Sequence, residues 1–104
     1  MKKKLKKLKK QSKPSIRDII AEEYSGEPLL FMTEKVYDAA IIGVMNGAGK
    51  FPAIAYDYNK VIEINVKMGM TYEEAIEYFD HNQIGAYMGD YTPVFIYPKN
   101  SFKF

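Results

Sequence analysis

Three stretches of the chain carry residue types whose spacing could do chemistry. Residues 43–50 read GVMNGAGK, glycines ahead of a lysine, as a phosphate-cradling loop would need. That chemistry requires G-x-x-x-x-G-K, then Ser or Thr, then a helix whose first N–H groups meet the phosphate. Here Val44 stands five before Gly49 and Phe51 follows Lys50, so a plain hairpin turn is the stronger reading. His81, within FDHNQ, could be oriented by Asp80 as a general base or join carboxylates around a metal. It is the single histidine, in a chain without cysteine, so a helix-end or surface position is favoured and no metal is assigned. Asp57, Glu63, Asp80 and Asp90 could converge as an acid–base pair, but Asp57 is also placed to cap a helix. No catalytic residue or cofactor follows, and a non-enzyme is expected.

The strongest chemical signal is charge. Lys2, Lys3, Lys4, Lys6, Lys7, Lys9, Lys10, Lys13 and Arg17 precede the first carboxylate, Asp18. The first 17 residues therefore carry +9, while the remainder holds six basic residues against thirteen acidic ones, or −7. A basic arm on an acidic body points to a partner with phosphates, nucleic acid ahead of an anionic membrane. Each lysine that neutralises a phosphate releases a counterion, so about six to eight such contacts give substantial, steeply salt-dependent affinity without base specificity. The plainer alternative is a solvated tail.

Aromatic rings form the third signal. Tyr56, Tyr58, Tyr72, Tyr78, Tyr87, Tyr91 and Tyr97 are either stacking platforms for bases or half-buried rings over a thin core. Without interleaved basic residues the second reading is stronger. Tyr56, Tyr58, Tyr87 and Tyr91 are kept as candidate ligand or partner contacts, with a pocket near Gly85 to Tyr91.

The elements that must position these residues come from a chain of 104 residues, 47% hydrophobic and 14% aromatic, enough for one small domain. The absence of Cys removes disulfides, thiolate nucleophiles and Cys-ligated zinc, and a reducing cytoplasm is the default location. No apolar run approaches the roughly 18 residues of a membrane span, and the N-terminus lacks a signal-peptide apolar stretch. Within residues 1–13, Leu5 and Leu8 among the lysines bury too little to offset ordering, so this arm is expected to be mostly disordered in isolation.

From Ser15 the pattern changes. Ser15 with Asp18, then Ile16, Ile19, Ile20 and Tyr24, predicts a helix over about 15–24, ended by SGEP. Two β-rich runs, 36–45 and 51–56, flank NGAG and predict a hairpin, Asn46-Gly47 supplying positive φ. The first run is apolar enough to be a central strand, and Pro52 places an edge in the second. YNKVIEINVKMG (58–69) alternates as a strand but also has a helical face, with Asp57 to cap and Gly69 to close, and helix is preferred. Thr71 and Glu74 form a capping box for a helix from 71 to about 82, its buried stripe Tyr72, Ala75, Ile76 and Phe79. VFIY (94–97) is a last strand. The fold class is α+β: a small, mainly antiparallel three-stranded sheet, hairpin plus C-terminal strand, with two or three helices on one face, in a domain spanning 14–104 behind the arm.

VYDAAIIGV, AYDYNKVIEI and GMTYEEAIEYFDHNQIGAYMGDYTPVFI, between residues 36 and 96, occur in an order that resembles a family of small uncharacterised bacteriophage proteins. In that family a YD-AIIG strand precedes YDYDK-IEIL and a GM-EEAIE helix. The resemblance implies a helix at 60–68 and a phage origin, but no activity and no functional residues. The lysine arm departs from the shorter, less basic starts of the family. The expected function is a phage accessory protein whose arm docks on nucleic acid or a ribonucleoprotein while the acidic body contacts a host or phage protein. Alternatives are an inhibitor that binds a host defence or transcription factor through its Tyr-rich surface, and a small-molecule or nucleotide binder.

Overall fold

Four successive residues, Ala53 to Tyr56, are buried, and the strand that holds them lies in the middle of the sheet. The computed structural model describes residues 13–102, so the expectations for residues 1–12 lie outside the described residues. Strand β2 (Ala53–Asp57) pairs antiparallel with β1 (Ile41–Met45), Val44 opposite Ile54 and Met45 opposite Ala53. On its other side it pairs parallel with β3 (Val94–Ile96), Ala55 opposite Val94 and Asp57 opposite Ile96. The order β1-β2-β3 makes a mixed sheet, correcting the mainly antiparallel one. Between β2 and β3 the chain returns through helices, and such a crossover delivers a parallel strand.

The first β-rich run also divides. Lys35–Ala40 is a 3₁₀ segment, and only Ile41–Met45 is strand. Tyr37 and Ala40, each 1% exposed, stand three apart, and the threefold repeat of a 3₁₀ helix directs both into the core. β1 is therefore an outer strand, and the second run supplies the central one. Pro52 precedes β2 and removes no ladder bond. In the connection, the positive φ falls at Gly49 (+72°) and not at Gly47, with Lys50 N–H bonded to the Gly47 carbonyl at 3.1 Å.

Among the described residues three α-helices form where caps permit. Ser15 Oγ accepts from Asp18 N at 3.1 Å to start α1 (Ile16–Glu23), which buries Ile20 alone. Asp57 Oδ1 accepts from Asn59 N at 2.9 Å and Lys60 N at 3.4 Å to start α2 (Tyr58–Lys67). Helix is thus the conformation of 58–67, and the chain turns out of it at Gly69, φ +111°, a value that favours glycine. Its buried face is Val61, Ile62 and Ile64, while Val66 and Met68 are 39% and 54% exposed. Both capping-box bonds are made at α3 (Tyr72–Tyr78), Glu74 N to Thr71 Oγ1 at 3.1 Å and Thr71 N to Glu74 Oε1 at 2.9 Å. Tyr72, placed in the buried stripe, is exposed, while Ala75 and Phe79 are buried.

The core joins Tyr37, Ile54, Tyr56, Val61, Ile64 and Phe79, with Tyr58 and Phe95 packed against it. α2 touches the 3₁₀ segment, β2 and α3, so it is the hub on which the other elements meet. No helix among the described residues is long and apolar enough to cross a membrane.

Candidate functional site

Of the nine basic residues read as a phosphate-binding arm, Lys2, Lys3, Lys4, Lys6, Lys7, Lys9 and Lys10 lie outside the described residues. Lys13 is exposed. Arg17 turns inward. Its Nη2 lies 2.7 Å from Asp38 Oδ1 and 3.0 Å from the Met32 carbonyl, and its Nε 3.1 Å from Asp38 Oδ2. The guanidinium carbon sits 4.6 Å from the Phe31 ring centroid. The hydrogen bond to Asp38, with that carboxylate's charge, raises the Arg17 pKa against the opposing effect of burial. Two of its nitrogens are committed to Asp38 and Met32, so the phosphate-contact role is corrected: Arg17 fastens α1 to the body.

The four candidate tyrosines also separate. Tyr56 has no exposed surface, and its hydroxyl accepts from Met32 N at 2.8 Å, which removes it as a ligand contact. Burial raises its pKa, with the Met32 bond opposing. Tyr58 stacks on Tyr97 at 4.3 Å and meets Phe79 edge-on at 4.9 Å, an arrangement that adds packing energy beyond buried area. Tyr91 lies 5.0 Å from the Phe51 ring and donates its hydroxyl to Glu27 Oε1 at 2.6 Å. Only Tyr87, at 77% exposure, offers an open ring. The pocket expected from Tyr56, Tyr58 and residues 85–91 does not form as one cavity, because the first is core and the second lines a separate groove along α2.

The other chemical candidates have local employment. Residues 43–50 run from the second half of β1 into the turn before β2, with no helix to receive a phosphate. His81 Nδ1 faces the Glu77 carbonyl at 3.0 Å on the exposed side of the chain. Asp57 caps α2, and Glu63 pairs with Lys60 at 2.9 Å. Among the described residues no three His, Asp or Glu side chains gather closely enough to hold a metal.

The feature that sequence reading missed is a cleft of about 230 Å³ beside the end of α3. One wall is the segment Met32, Thr33 and Glu34; another is Tyr78, Asn82 and Gln83. The rest comes from Ala86, Met88 and the approach to β3, ending at Phe95. Its shape depends on a π-helical turn over Phe79–Gln83, in which Ile84 N–H reaches the Phe79 carbonyl at 2.9 Å. The wider turn buries Phe79 completely while Gln83 remains half-buried.

Behind Gln83 stands Asn65, fully buried on α2. Its Nδ2 donates to Gln83 Oε1 at 3.0 Å and to the Ala75 carbonyl at 3.3 Å, and its Oδ1 accepts from the Tyr37 hydroxyl. A buried amide with all these groups bonded fixes its neighbours firmly, because any change strands a polar atom away from water. Burial raises the Tyr37 pKa, Gln83 acting in the opposite direction. On the opposite wall Thr92 Oγ1 accepts from Met88 N and donates to the Gly89 carbonyl, both at 2.7 Å, which folds the loop against the cleft. Asn65 had one sequence signal: a polar residue four positions from Val61 on a helix whose neighbours there are apolar.

Glu34 is the single carboxylate of the lining, and no lysine or arginine lines it. An adjoining hollow shares Tyr78 and Asn82 and adds Glu74, Glu77 and His81. The arrangement offers hydrogen-bond acceptors above apolar walls, a geometry for binding. Comparisons with protein-family models, with curated proteins and with solved structures return no match.

Proposed function

We propose that the protein is a non-enzymatic accessory protein whose lysine-rich N-terminal segment docks on nucleic acid or a ribonucleoprotein while its acidic body contacts a protein. The observation that carries this reading is the segregation of charge, nine basic residues and no acid over the first 17, against −7 for the rest. With Arg17 engaged by Asp38, the eight lysines of residues 2–13 are the phosphate contacts. Their affinity falls steeply with salt, because every phosphate neutralised releases a counterion. The order of motifs between 36 and 96 supports a bacteriophage origin and hence the host cytoplasm as the place of action.

Deletion of residues 1–13 leaves the Ser15 cap in place and is expected to abolish retention of RNA or DNA in a gel-shift assay at low salt. Unchanged retention overturns the proposal. The exposed rings of Tyr72 and Tyr87, at 62% and 77%, and Met88 at 51%, favour a second reading, an inhibitor that grips a host defence or transcription factor through its surface. A stoichiometric protein captured from nuclease-treated host lysate by the arm-deleted chain selects that reading over the first.

A further inference from the structure

We propose that the cleft beside the π-helical turn is a receptor for a lysine or arginine side chain presented by the protein partner. This deepens the reading of the body as a protein-contact surface and rests on it. Size is the first argument. A volume of about 230 Å³ lies below the roughly 300–1,000 Å³ of pockets for drug-sized ligands and suits a single long side chain.

The walls are the second. Met32, Met88 and Phe95 offer apolar surface to an aliphatic stem, as long basic side chains require when they bury their methylenes and keep the charged head outside. Thioether side chains adapt to either stem. The lining also includes Glu34, Tyr78, Asn82 and Gln83, which bring a carboxylate, an aromatic ring and two amides to it. A carboxylate and an aromatic face both attract a cation. The two ion pairs among the described residues are Arg17–Asp38 and Lys60–Glu63, so neither involves Glu34.

Charge also decides between two occupants. A base splayed from a single-stranded nucleic acid could hydrogen-bond the same amides and stack on Tyr78. Its phosphates, however, would lie near Glu34 and the adjoining Glu74 and Glu77, on a body of net charge −7. A cation gains from that field and a phosphate loses. The Asn65–Gln83 bond and the Thr92 lock hold both sides in place before any ligand arrives, and such preorganisation reduces the ordering cost of binding.

The test is a titration of the full-length ¹⁵N-labelled protein with blocked glycine-flanked peptides carrying one lysine, arginine, norleucine or glutamate, followed by amide chemical shifts. The lysine and arginine peptides are expected to move Thr33, Glu34, Asn82, Gln83 and Met88 saturably. The norleucine peptide, which keeps the stem and drops the charge, should bind about fivefold more weakly, as should the lysine peptide to Glu34→Gln. Glu34 is exposed, so that variant retains the fold. Equal binding of norleucine or glutamate, an unaltered response in Glu34→Gln, or an oligonucleotide moving these same amides overturns the inference. A gel shift on Glu34→Gln separates the readings, since retention of nucleic acid through the arm is independent of the cleft. Partner capture from nuclease-treated lysate that survives Glu34→Gln retains the protein-contact reading and rejects the cleft.

Discussion

Asn65 and Arg17 each tie together segments far apart in the chain, and they do so by opposite means. Asn65 is neutral, wholly buried, and bonded to groups on three other elements. Arg17 is charged and about a fifth exposed, as is its partner Asp38. The difference follows from solvation. An amide can be enclosed if each polar atom finds a partner, whereas a guanidinium keeps part of its hydration and is placed at the margin. Asn65 therefore holds the interior and sets the back of the cleft, and Arg17 holds a helix onto the outside.

Asn65→Ala is the largest expected effect. It strands the Tyr37 hydroxyl, the Gln83 amide and the Ala75 carbonyl, and should cost about 2–4 kcal/mol in urea unfolding. It should also disperse the Asn82 and Gln83 amide shifts. Arg17→Ala comes next at about 1–2 kcal/mol, discounted for exposure. Arg17→Lys should recover less than half, because an ammonium replaces neither the forked contact with Asp38 nor the stacking on Phe31. If both alanine variants cost the same, the distinction between interior hub and marginal clasp fails.

Thr71→Ala touches neither and calibrates the scale. Losing one capping-box bond at α3 should cost about 1 kcal/mol. A larger loss, with disturbance at Gln83, would show that the π-helical turn depends on the helix start as well as on Asn65.

The smallest effect lies at Tyr91. Its hydrogen bond to Glu27 is the main reason its pKa is pushed up to about 12, with burial and the carboxylate's charge adding. The folded value lies above the ordinary 10.0, so this contact stabilises fully below pH 10 and is lost as pH rises through about 12. Ultraviolet titration of tyrosinate should show Tyr91 ionising late beside the buried Tyr37 and Tyr56, and Glu27→Gln should return one of these late groups toward 10.0. An unchanged number of late-ionising groups in that variant would assign the shift elsewhere.

How much of this could be read beforehand depends on how far each cause reaches along the chain. The caps at Ser15, Asp57 and Thr71 are local, and they marked all three helix starts, because an N-cap side chain meets backbone two or three residues on. The run VYDAA, by contrast, is apolar without a clear period. Only burial of Tyr37 and Ala40 on one side made it 3₁₀. The π-helical turn has no sequence signature, since it forms where Phe79 must enter the core while Gln83 meets Asn65. The tyrosines looked like one set, yet Tyr56 is core, Tyr58 and Tyr91 are clasps, and Tyr87 is free, because composition counts rings and says nothing of what covers them.

By itself the sequence determined the separation of charge, the helix starts and the α+β class. Those depend on composition and on groups within a few residues of one another. Only the tertiary structure decided that β2 is central, that Arg17 leaves the basic arm to hold Asp38, and that a cleft opens beside Gln83. The groups responsible stand 21 residues apart in Arg17–Asp38 and 28 apart in Tyr37–Asn65. Their meeting follows from which polar atoms can be satisfied once the core is closed, and that choice is made by the whole fold.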